Sequence, residues 1–214
     1  MVTDKDYINA WDKRVGPTTA HLEYNDTLKK EDLEKLFKQA TKGVDLLGAM
    51  VIDYGCGGGF LCEYLLNNKD IGGYVGLDIS ERSIAAAKKR FKNASDIVTF
   101  NLISPMHKCE KETPFDELYQ TFCLNVLQHM PDSEHLDNIL EVLDSICSEN
   151  LILNFRQGEK LEFSPTPYKT THEINLANKI PLKYITSKLK NYKLKRSVGK
   201  KTDEFKLAVY ERCL

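Results

Sequence analysis

Apolar positions follow helical spacing at the start of the chain and then give way to short solid runs. Tyr7, Ile8, Trp11 and Val15 share a helical period over about residues 4–15, and Gly16-Pro17 stops it. Leu33, Leu36, Phe37 and Ala40 line one face of a second helix over about 29–42, with Gly43 just past its end. From Met50 the pattern alternates between strand-like and helix-like segments. Met50–Tyr54 reads as a strand, Gly59–Asn67 as a helix and Gly73–Leu77 as a strand closed by Asp78. Ser80 can cap a helix that Ile84–Phe91 continues. Ile97–Phe100 and Glu117–Cys123 are the third and fourth strands. Pro131-Asp132-Ser133 opens a helix to about Cys147, with Leu136, Ile139, Leu140, Leu143 and Ile146 on its apolar face. Leu151–Phe155 is the fifth strand, 157–171 a loop, and a helix follows near 173–180 or 181–190. Lys193–Val198 and Phe205–Glu211 close the pattern as two strands around the polar turn Gly199–Asp203.

Strands alternating with helices predict an α/β fold: a doubly wound, mostly parallel, seven-stranded sheet with helices on both faces and an antiparallel last strand. The 214 residues suit one domain. Apolar residues make up 42% and charged residues 29%, an ordinary globular balance. The formal net charge of −1 supplies no field that would draw the chain to nucleic acid or membrane. Six cysteines form no C-x-x-C pair, so they are expected as reduced thiols of a cytoplasmic protein. The charged start MVTDKDYINA lacks the apolar core of a signal peptide, and no run is long enough to span a bilayer.

Candidate chemistry concentrates where the first strand ends, in VIDYGCGGGF (Val51–Phe60). Glycine is costly to order, so Gly55, Gly57 and Gly59 imply tight turning and close approach of backbone to a ligand. The N–H groups opening the next helix favour an anionic group. The stretch reads D-x-G-x-G-x-G and not the dinucleotide pattern G-x-G-x-x-G, because the sixth position from Gly55 is Phe60. Asp53 precedes the loop as a hydrogen-bond acceptor or a brace. Asp78 ends the second strand in YVGLDIS, where an acid can accept bonds from ribose hydroxyls.

VIDYGCGGGF, YVGLDIS and LYQTFCLNVLQHMPD (118–132), in this order and spacing, resemble the class I S-adenosylmethionine-dependent methyltransferases over about residues 45–160. The resemblance implies that Gly55, Gly57 and Gly59 wrap the amino-acid end of S-adenosylmethionine and that Asp53 braces the loop or reaches the methionine amine through water. It implies that Asp78 holds the ribose, Ile79 packs on the adenine, Asn101 and Leu102 flank it, and the Leu124 carbonyl accepts from the amine. Asn101 departs from the acid that relatives often carry there. In similar enzymes an N-terminal helix closes over the cofactor, which assigns Tyr7, Trp11 and Arg14 to a lid; the alternative is an amphipathic helix anchored by its tryptophan. His21 and Tyr24 could face the same pocket.

The acceptor side is less explicit. His129 lies at the fourth strand's exit, as a base, a substrate contact or a cap of the following turn. Asn125 lies beside it. Arg156 ends the fifth strand and can hold an anionic group or form a surface ion pair. Tyr168 and His172 fall in the loop where a substrate cap would lie. No N/D-P-P-Y/F/W turn follows the fourth strand, and Cys123 lacks the preceding proline typical of nucleophilic cysteines in pyrimidine C5 methylation. No carboxylate cluster suggests a metal. Lys179–Lys201 holds nine Lys or Arg and no acid, a strip that could track phosphates or be a solvated helix and strand. The expected protein is therefore a single domain with residues 1–42 as a helical lid and 157–190 as a partial substrate cap. Its expected function is methyl transfer to an O or N atom of a small polar metabolite. The alternatives are an RNA or protein methyltransferase, or a non-catalytic cofactor-binding protein.

Overall fold

The computed structural model describes residues 3–14, 30–106, 119–146, 148–163, 178–200 and 203–213. Two helices lead in, α1 (Asp4–Arg14) and α2 (Lys30–Ala40). Then come β1 (Met50–Tyr54), α3 (Phe60–Asn68), β2 (Gly73–Asp78), α4 (Glu81–Arg90), β3 (Val98–Leu102) and β4 (Tyr119–Cys123). A 3-10 turn (Leu127–His129), α5 (Ser133–Ser145), β5 (Asn150–Arg156), α6 (Leu182–Lys188), β6 (Tyr192–Val198) and β7 (Phe205–Arg212) complete the order.

The strands form one sheet in the order β3-β2-β1-β4-β5-β7-β6. The pairs among β3, β2, β1, β4 and β5 are parallel, and β7 runs antiparallel to both β5 and β6. Solid apolar runs make the central strands because both faces are covered. Alternate residues feed two cores. Val51, Phe122, Ile152 and Val209 meet Leu33 and Phe37 of α2, Leu61 and Leu65 of α3, and Ile84 and Ala87 of α4. Ile52, Tyr54, Leu151, Leu153, Phe155 and Tyr210 meet Leu136, Leu140 and Leu143 of α5, Ile185 of α6 and Tyr7 of α1.

The helix starts follow local chemistry. Ser80 caps α4 by accepting from the Ser83 N–H, and Asp132 caps α5 by accepting from the His135 N–H. β3 extends two residues beyond the apolar run that marks it, because its ladder with β2 continues to the pair Asp78 and Leu102. The strand order reverses between β1 and β4, which opens a crevice past their carboxyl ends.

Within 1–42, α1 reaches the crevice, whereas α2 packs on the far face, where Phe37 meets the Tyr64 ring at 5.5 Å. Within 157–190, α6 is a layer helix, because Ile185 and Leu189 are apolar and fully used in the core beneath it. Lys179 and Ile180 bridge to Glu162 and Gln157, and the expected helix stands after them as α6, within the alternative 181–190.

Candidate active site

A cleft of about 610 Å³ occupies the crevice. Gly55, Gly57, Asp78, Ile79 and Ser83 form one wall, Ile103 and Pro105 an end, and Asn125 and Val126 the opposite rim. Tyr7, Trp11, Tyr54, Met130 and Ile139 complete it.

The glycine wall is built from main chain. Gly55 has φ +81°, and a Cβ there would stand 2.2 Å from Val126 Cγ2. Only glycine accepts both conditions without displacing the β4 exit. The Gly55 and Cys56 N–H groups donate to the Leu77 carbonyl at 2.7 and 3.0 Å, which ties the loop to β2. Gly59 also has positive φ, +81°, but it does not line the cleft; a Cβ there would meet Phe91 Cε2 at 2.7 Å. Its role is to start α3 while packing on the rings below.

Asp78 organises the wall. Its Oδ2 accepts from the Gly57 N–H and its Oδ1 from the Ser80 N–H, both at 2.8 Å. Burial pushes its carboxyl above the usual range, while these main-chain donors pull the other way. Asp53 is buried outside the cleft and accepts from the Tyr74 hydroxyl. Burial raises its carboxyl from the ordinary 3.8 to about 7; the Tyr74 bond lowers it and the nearby Asp78 charge raises it.

Helix α1 is strapped across the cleft at both ends. Asp4 Oδ1 lies 3.1 Å from His135 Nε2, and Asp132 Oδ1 lies 2.9 Å from His135 Nδ1. At the other end Ser80 Oγ donates to Asp12 Oδ1 at 2.6 Å and Arg82 donates to the Asp12 carbonyl at 3.1 Å. Four residues apart, Tyr7 and Trp11 therefore share the face turned to the cleft.

Comparison with known proteins decides the family. Residues 52–150 match the family model described as "Methyltransferase domain". This segment, a little under half of the chain, is a methyltransferase domain. The chain is 32% identical over 89 residues to a ubiquinone biosynthesis O-methyltransferase of Thiobacillus denitrificans, a match spanning 41% of this chain and 36% of that protein. The chain thus spans little more than a third of the length of that relative. It also resembles the crystal structure of magnesium protoporphyrin IX methyltransferase from Synechocystis PCC 6803 with bound SAM. That likeness has a TM-score of 0.64 at 18% identity and covers 100% of this chain and 99% of that one. N-methyltransferase NodS from Bradyrhizobium japonicum, in complex with S-adenosyl-L-homocysteine, matches with a TM-score of 0.69 at 12% identity, over 97% and 98% of the two chains. At these identities the two structures share the fold.

Several residues singled out from the methyltransferase motifs converge on the cleft: Tyr7, Trp11, Gly55, Gly57, Asp78, Ile79 and Asn125. Others stand elsewhere. Asn101 and Leu102 are exposed within β3, because the strand runs on past the expected end; Ile103 and Pro105 take the places at the cleft. The Leu124 side chain is buried in the core. The His129 ring does not line the cleft; it stands edge-on to the Trp11 indole with centroids 5.2 Å apart. Arg156 pairs with the exposed Glu204 at 2.9 Å, away from the cleft lining. Arg14 ends α1; its side chain, and all of His21, Tyr24, Tyr168 and His172, lie outside the described residues. Among the described residues no group of three or more His, Cys, Asp or Glu could hold a metal, and no helix is long and apolar enough to cross a membrane. Cys56, Cys62 and Cys123 are free and buried, with thiols pushed up by burial, so none is poised as a nucleophile. Cys109 and Cys147 lie outside the described residues.

Met130 and Ile139 join the cleft without having been marked as site residues. Ile139 was legible only as part of an apolar helix face. Asn154 carries a clearer signal: a polar residue inside the run LILNF must find a partner when buried, and it is 4% exposed.

Proposed function

We propose that this protein binds S-adenosylmethionine in the cleft and transfers its methyl group to an O or N atom of a small molecule. The observation that carries the reading is the Asp78 carboxylate, held by two main-chain N–H groups at the glycine wall and lining the cleft. A carboxylate keeps acceptor capacity after two such bonds, which fits a vicinal diol. Ile79, Ile103 and Pro105 beside it offer an apolar slot that fits a heteroaromatic ring. The residues present therefore fit the cofactor.

When bound, the cofactor supplies an electrophilic methyl and its own leaving group. The chain's work is to hold and align. Asp78 fixes the ribose, the Gly55–Gly57 main chain receives the amino-acid end, and Tyr7 and Trp11 exclude water from above. The acceptor approaches from the side of Asn125, Val126 and Met130. That wall is mainly apolar and aromatic, and Arg156 and His129 do not line it. This narrows the expected polar metabolite to one that presents a polar nucleophile on an apolar body. Because His129 packs against Trp11, its favoured role is to set the indole and not to take a proton.

The basic strip supports a small-molecule acceptor over RNA. Lys179, Lys188, Lys193 and Lys195 pair with Glu162, Asp137 and Glu211, and Arg196 donates to the carbonyls of Gln39 and Lys42. Three carboxylates thus already engage four of the lysines that a phosphate backbone would draw on.

Calorimetric titration with S-adenosylhomocysteine tests the cofactor reading. Binding by the wild type, weakened by about 1–3 kcal/mol in Asp78→Ala, is the expected result. Equal affinity in the two would remove the ribose assignment. Incubation of metabolite extracts with labelled cofactor then identifies the acceptor by a mass gain of one methyl. Binding with no transfer to any fraction would instead favour a cofactor-binding protein without catalysis.

A further inference from the structure

The rim opposite the glycine wall holds a residue in an unusual backbone state. Asn125 has φ 59°, the one positive value outside glycine among the described residues. Asparagine tolerates this left-handed region better than most residues, but it still needs support from its surroundings. That support includes a hydrogen bond: the Asn125 N–H donates to Asn154 Oδ1 at 3.2 Å. Asn154 is 4% exposed on β5, between the apolar Leu151–Leu153 and Phe155. A buried amide in that setting is costly unless its hydrogen bond is worth keeping.

The direction of that bond has a consequence. The β4–β5 ladder pairs Cys123 with Leu153, so its continuation sets Leu124 beside Asn154. The Asn125 N–H therefore points toward β5. The described peptide bonds are all trans, and in a trans peptide the carbonyl points opposite to the N–H. The Leu124 carbonyl accordingly points away from the Asn154 side-chain amide. The next residue, Val126, fills with its side chain the space a Gly55 Cβ would need.

We propose that Asn154 is a positioning residue for the cofactor. By holding the Asn125 N–H it fixes the left-handed turn, turns the Leu124 carbonyl away from its own side chain and seats Val126 against Gly55. The group that this carbonyl would receive is a cationic donor, the amine at the amino-acid end of the ligand. The inference rests on the cofactor reading above.

Two substitutions separate positioning from packing. Asn154→Ala removes the acceptor. Asn154→Asp keeps an oxygen at the same reach but places an acid in a buried site. Both should lower the melting temperature. S-adenosylhomocysteine affinity, measured by calorimetry, should fall about tenfold in Asn154→Ala and stay within about threefold of wild type in Asn154→Asp. Amide exchange at Asn125 in the ligand-free protein should accelerate in Asn154→Ala and stay slow in Asn154→Asp. If Asn154→Ala does not fold, Asn154→Asp decides alone: slow exchange and retained affinity support the proposal, and loss of either overturns it. Wild-type affinity in Asn154→Ala, or affinity that falls with melting temperature in both variants, overturns the positioning role while leaving the cofactor reading intact. A wild-type chain that binds no S-adenosylhomocysteine overturns the cofactor reading itself, and the inference with it.

Discussion

The two sides of the cleft are made in different ways. The wall after β1 and β2 is main chain and short loop: Gly55, Gly57 and Asp78 come from two strand ends joined by N–H bonds to one carboxylate. The facing side is side chain drawn from far apart in the sequence: Tyr7 and Trp11 from α1, Asn125 and Met130 from the β4 exit, Ile139 from α5. A ligand half that is the same in every turnover can be met by fixed backbone. An acceptor that differs between relatives is met by side chains, which change without disturbing the sheet.

The largest expected effect tests how rigid the main-chain wall is. Gly55→Ala forces a Cβ to within 2.2 Å of Val126 Cγ2 and holds alanine at φ +81°. We expect a loss of about 2–4 kcal/mol in stability by urea denaturation, from left-handed strain plus overpacking. Adding Val126→Ala should restore part of it. A loss under about 1 kcal/mol would mean that the β4 exit yields, and the contrast between a rigid wall and an adaptable one would fail.

A smaller effect probes the acid beneath the loop. The carboxyl of Asp53 titrates near 7 in the folded protein, above its ordinary 3.8. The folded state therefore holds a proton that the unfolded state releases, and stability falls as pH rises through the window between those values. Asp53→Asn removes this contribution while keeping an oxygen for Tyr74. Near pH 4 the variant should match the wild type; at pH 8 it should be more stable by about 1–3 kcal/mol. Parallel pH profiles would show that Asp53 stays ionised, and the loop would then rest on a charge. The smallest effect concerns the facing side. Arg156→Ala breaks a pair whose partner Glu204 is 61% exposed, so stability should move by less than about 0.5 kcal/mol. Cofactor affinity should not change. A tenfold fall in turnover with the true acceptor would return Arg156 to the acceptor side.

The same contrast explains what could be read from the chain. Val51–Phe60 carries strand, loop and helix start within ten residues, so its role is legible locally. So are the Ser80 cap and the alternation that predicts the sheet. β3 is harder: Asn101 and Leu102 continue the strand through a ladder to β2 that a hydropathy pattern does not contain. The facing side is hardest, because Met130 and Ile139 each read as core until the fold brings them to one opening. Arg156 and His129 were placed at strand exits correctly, yet a strand exit does not say which way a side chain turns. Arg156 turned to Glu204 and His129 to Trp11.

The order of strands also bears on how the chain is made. β7 lies between β5 and β6, though it is synthesised after both. Until Phe205–Arg212 has emerged from the ribosome, β5 keeps an open edge and β6 has no partner in the sheet. Leu207, Ala208, Val209 and Tyr210 then enter both cores at once. Completion of the sheet is thus a late, nonlocal event. A nascent chain stalled short of β7 would expose the apolar ladder of β5, a ready target for chaperones or for pairing with another stalled copy.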